Sequence, residues 1–70
     1  MSPAEEIKFV NDVCANALAQ TSDGSRKPVI FVKTRAFVIP AQKAAPGCEV
    51  QVNRSLANPA SWRVNHTPRR

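Results

Sequence analysis

Tyrosine is absent from this chain, and its 70 residues include only two glycines, two cysteines, one tryptophan and one histidine. Each shortage excludes something. Gly24 and Gly47 alone make no glycine-rich loop of the kind that cradles phosphates. Cys14 and Cys48 make no disulfide framework. With His66 they stand singly, without a Cys-x-x-Cys pair, and a metal site needs three or four ligands at suitable spacing. No metal and no other cofactor is expected. A Cys–His nucleophile pair would require an exposed thiol in an electropositive niche, whereas both cysteines fall on apolar stripes. Catalysis is not expected either.

Long apolar runs are also missing. None approaches the roughly 18 residues that a membrane span needs. The first twenty residues carry acids where a secretion signal carries bases. The bases line no amphipathic helix, so no membrane role is expected. A cytoplasmic, reducing setting follows, with both thiols free and packed inside.

Acids are scarce in one part only. Residues 1–25 hold Lys8 against Glu5, Glu6, Asp12 and Asp23, a net of −3. Residues 26–70 hold nine bases against the single acid Glu49, a net of +8. An asymmetry of this kind points to an anionic partner for the basic part.

The patterning predicts one small α+β domain over residues 1–65, followed by a loose basic tail at 66–70. Ser2-Pro3-Ala4-Glu5 supplies an N-cap serine, a proline in the first helical position and a glutamate that reaches back, so a helix over 3–20 is expected. Ile7, Val10, Cys14, Ala17 and Leu18 form its buried stripe. Phe9 and Val13 widen that stripe beyond a single core face. Either a sheet wraps more of the helix, or this flank meets a second copy of the chain, giving a homodimer.

The stretch Pro28–Pro40 is rich in β-branched and aromatic residues and fenced by prolines, which predicts a strand over 29–39, bulged near Thr34. Two short strands reversing at 33–36 are the alternative, and that tetrapeptide lacks the glycine or asparagine that a tight hairpin prefers. Residues 41–47 read as a connection closed by a Pro46-Gly47 turn. Cys48, Val50 and Val52 alternate with polar residues, as do Trp62 and Val64, giving two more strands. The expected architecture is α-β-β-β, one helix on a three-stranded antiparallel sheet. Ile7, Val10, Phe31, Val50, Val52 and Trp62 would share the core.

On that drawing Arg63, Arg54, Lys33 and Arg35 share the open sheet face or its rim. Arg26 and Lys27 stand just before the first strand, and Arg69 and Arg70 end the tail. Such a spread of cations suits phosphates, since each neutralised phosphate releases counterions. Sequence readout would need a recognition helix or stacking aromatics. The helix is net acidic and the aromatics look like core residues, so backbone contacts are expected. Two functions follow. One is a small non-enzymatic module that docks nucleic acid or a nucleoprotein complex. The other is an accessory or inhibitor protein, of the kind phages and mobile elements encode, that docks an acidic protein surface. A solvated basic surface is the bland alternative.

Overall fold

A computed structural model describes residues 2–24 and 26–64. The tail at 66–70 lies outside the described residues. Helix α1 spans Pro3–Gln20 and starts as its sequence dictates. The Ser2 amide donates to Glu5 Oε1 at 2.9 Å, and the Glu5 amide donates to Ser2 Oγ at 3.2 Å. This reciprocal box satisfies two amides that a helix start leaves unpaired. It also holds the Glu5 carboxyl below the usual carboxylate range, chiefly through the Ser2 amide. At the other end Gly24 takes a φ of +76°, which glycine accepts without strain.

Strand β1 spans Pro28–Val32 and is shorter than the sequence suggests. Beyond it the chain neither continues as a bulged strand nor reverses into a hairpin. Thr34 is extended, Arg35–Phe37 form a 3₁₀ turn, and a second helix, α2, spans Val38–Ala44. The physical reason lies in Pro40. It occupies the third position of α2, inside the first turn, where its missing N–H costs no intrahelical bond. Downstream, Ala41-Gln42-Lys43-Ala44 are strong helix formers. Phe37, Ala41 and Ala45 are buried at the i, i+4, i+8 spacing of a helical stripe.

The Pro46-Gly47 turn is present. The Cys48 amide donates to Ala45 O at 3.2 Å, and Gly47 has a φ of +85°. Strands β2, Glu49–Val52, and β3, Ala60–Val64, follow. The sheet order is β2-β1-β3. Strand β1 pairs in parallel with β2, setting Ile30 opposite Val50, and antiparallel with β3, setting Ile30 opposite Trp62. The fold is α+β, as expected, but its sheet is mixed and it carries a second helix. A parallel pair cannot be closed by a tight turn, and residues 33–48 supply the helical crossover it needs.

Both helices pack on one face of the sheet. Val10, Cys14 and Ala17 of α1, Ile30 and Val32 of β1, and Ala41 of α2 form the centre of the core. Small side chains at Cys14 and Ala41 let the helices approach closely, and the Cys14 thiol donates weakly to Ala41 O at 3.9 Å. Of the expected core residues, Val10 is buried, while Ile7, Val50 and Trp62 are half-buried against the cluster. Two differ. Val52 is 40% exposed because β2 is an edge strand and its last residue lies beyond helix cover. Phe31 points to the opposite face, since neighbouring strand residues alternate and Ile30 and Val32 take the helix side.

Ile30 is wholly buried at the centre of the sheet, so Ile30→Ala should cost about 2–5 kcal/mol. Val52→Ala should cost less than about 1 kcal/mol. Urea denaturation of the two variants checks this contrast.

Candidate functional site

Strand geometry sorts the bases. Because β1 and β2 run parallel, the segments that follow them leave the sheet at the same end. The Asn53 amide donates to Val32 O at 2.8 Å and extends the ladder by one bond. The Lys33 amide donates to Pro59 O at 2.9 Å, which ties the start of β3 to the same place. Lys33, Thr34 and Arg35 leave β1 here, and Asn53, Arg54 and Ser55 leave β2. All six are exposed. Asn53 Oδ1 accepts the Ser55 amide at 2.9 Å, and the Leu56 amide donates to Asn53 O at 3.3 Å. That local turn presents Arg54 on a short, hydrogen-bonded loop. Lys33, Arg35 and Arg54 enter no ion pair among the described residues.

Arg26 and Lys27 stand at the opposite end of β1, Lys27 about 20 Å from Lys33 along the strand at roughly 3.3 Å per residue. They line a second hollow of about 270 Å³ with Leu18, Thr21, Pro46 and Cys48. The Lys27 ammonium lies beside the Gly47 turn, and Arg26 is engaged within the chain. Glu49, the one acid of residues 26–70, begins β2 at this end and accepts a hydrogen bond from the Gln51 amide group.

Arg63 belongs with neither group. It sits opposite Val29 on the face away from the helices, and its guanidinium lies over the Phe31 ring, 5.2 Å from the centroid. The cation meets the ring face. The single basic face expected from the sequence is therefore divided. Lys33, Arg35 and Arg54 leave the sheet at one end, Arg26 and Lys27 lie at the other, and the Arg63 guanidinium lies over Phe31. Arg69 and Arg70 lie outside the described residues.

The remaining candidates are structural in their surroundings. Phe9 and Val13 are half-buried against the chain's own core. Cys14 is buried and Cys48 half-buried, and both are free thiols. Burial pushes the Cys14 thiol up from its ordinary value, with the neighbouring Cys48 adding to the effect. Among the described residues no cluster of three or more His, Cys, Asp or Glu is placed to hold a metal ion, and no helix is long and apolar enough to cross a membrane. Sequence reasoning missed Lys43, which stands on α2 rather than in a connecting loop. It also missed Thr34, Asn53 and Ser55, the exposed polar neighbours of those three bases along the chain. Turn-forming composition at 53–55 was the signal for those last two.

Comparison with protein-family models, with curated proteins and with solved structures returns no match to this chain.

The thiols give a direct check on the geometry. Only the thiolate is alkylated, so a buried, raised-pKa cysteine reacts slowly. Cys48 should be modified by iodoacetamide at least about tenfold faster than Cys14, read by mass spectrometry of the native protein. Equal rates would contradict this placement, as would a mass short by a pair of hydrogens.

Proposed function

We propose that this protein is a non-enzymatic, cytoplasmic binding module that grips the phosphate backbone of nucleic acid, alone or within a nucleoprotein complex, with the end of its sheet where β1 and β2 both finish. One observation carries the reading. Lys33, Arg35 and Arg54 are exposed and follow β1 and β2 at that end, and the only acid of residues 26–70 is at the other. Three cations flanked by Thr34, Asn53 and Ser55 combine point charges with neutral hydrogen-bonding groups, the mixture that phosphate oxygens accept.

The chemistry favours backbone contact over base readout. Phe37 is buried, Trp62 is half-buried against the core and Phe31 lies under Arg63, so these rings offer no open stacking platform. Helix α1 carries Glu5, Glu6 and Asp12, and a major groove would repel it. Binding should therefore be tolerant of sequence. An acidic protein surface is the other partner that this end would suit, and salt dependence separates the two.

Fluorescence anisotropy with duplexes of unrelated sequence tests the proposal. Three phosphate contacts give a slope of about −2.7 in log affinity against log salt, roughly a 40-fold loss between 50 and 200 mM. Lys33→Glu with Arg54→Glu should abolish binding to every duplex alike. Arg63→Glu should mainly lower stability, because it uncovers Phe31. Asp12→Lys should leave binding equal or stronger. Binding of an acidic protein that excess duplex does not displace would overturn the nucleic-acid reading.

A further inference from the structure

Helices α1 and α2 bound a groove of about 440 Å³, lined by Ile7 and Asn11 on one side and Ile39, Pro40, Lys43 and Ala44 on the other. Its wall includes the most exposed large apolar side chain among the described residues, Ile39, at 63%. Ile7 is half-buried. A chain this small has little apolar surface to spare, because it buries only about 60% of what its unfolded form exposes. Leaving an isoleucine open on a helix, next to a proline and a second isoleucine, makes a continuous apolar floor rather than a scattered surface residue.

The groove's charge indicates what would cover it. Lys43 is its one charged lining residue, and it enters no ion pair among the described residues. On α1, the neighbouring Lys8 is already paired with Asp12 at 3.2 Å. Asn11 adds a neutral amide that can both donate and accept. An apolar floor with one cation and one amide at the rim matches an apolar side chain flanked by a carboxylate. A second copy of this chain matches it poorly. The lining contains no acid, so two such grooves facing across a two-fold axis would leave both Lys43 ammoniums without a carboxylate from the facing lining.

We propose that the α1–α2 groove is a docking site for a partner protein's acidic, amphipathic peptide segment, which seats an apolar side chain between Ile7 and Ile39 and sets a carboxylate against Lys43. None of Lys33, Arg35 and Arg54 lines this groove, and docking there does not depend on phosphate binding. The mode is that of a short amphipathic segment laid into a groove between helices.

The test is selection from a random dodecapeptide library displayed on phage, with counter-selection on Ile39→Asp. That variant keeps Lys33, Arg35 and Arg54, so it removes peptides that bind only the basic end. Ile39 is exposed, and a retained helical circular dichroism signal confirms that the variant is folded. Enriched peptides should combine a bulky apolar residue with Asp or Glu. They should bind the wild type at least about tenfold more tightly than Ile39→Asp. Lys43→Glu should shift selection toward peptides bearing Lys or Arg. Absence of enrichment over Ile39→Asp, or enrichment of acid-free peptides, would overturn the proposal. So would a wild-type dimer in sedimentation that Ile39→Asp dissociates, since a second copy would then be the occupant.

Discussion

Hydrogen bonding on both edges of β1 is the constraint on which the rest of the structure depends. One neighbour runs parallel to it and the other antiparallel. The parallel pairing demands a crossover, and residues 33–48 meet that demand with a 3₁₀ turn and a seven-residue helix. The crossover helix then has to cover the sheet beside α1, and Cys14 against Ala41 makes the close approach possible. A short chain thus builds a two-layer core around Ile30 and Val32 without a disulfide among its described residues.

The same constraint distributes charge. Parallel neighbours deliver the residues after β1 and after β2 to one end, so Lys33, Arg35 and Arg54 emerge there although nineteen positions separate the last two. An antiparallel meander would have alternated the ends and scattered them. The basic end rests on strand termini, and the apolar groove rests on the helix layer. A module that holds phosphates with one and an acidic peptide with the other would bridge a nucleic acid and a protein.

Much of this was legible in the residues, and the exceptions have physical causes. Helix α1 was clear because its capping box is local, and so was the Pro46-Gly47 turn, whose glycine must take positive φ. The crossover helix was hidden because a proline within an apolar run reads as the end of a strand, yet also suits a helix's first turn. The alternative signal, Phe37, Ala41 and Ala45 at helical spacing, rests on alanines that contribute little apolar contrast. Parallel pairing leaves no turn signature, though the unbroken apolar run Pro28–Val32 suits a central strand, and all of it but Phe31 is buried. The grouping of the bases depended on that pairing and could not be drawn without it. Arg63 was read as outward-pointing, which is correct for its strand position. Its partner Phe31 was assigned to the wrong face.

Mapping amide shifts by ¹H–¹⁵N correlation spectroscopy, while a short mixed-sequence duplex is titrated at low salt, tests the central claim most directly. The account predicts that the largest shifts fall on residues 33–36 and 53–55, with little change at Arg26, Lys27 and Arg63. Shifts centred on Arg26 and Lys27, or none anywhere at low salt, would contradict it.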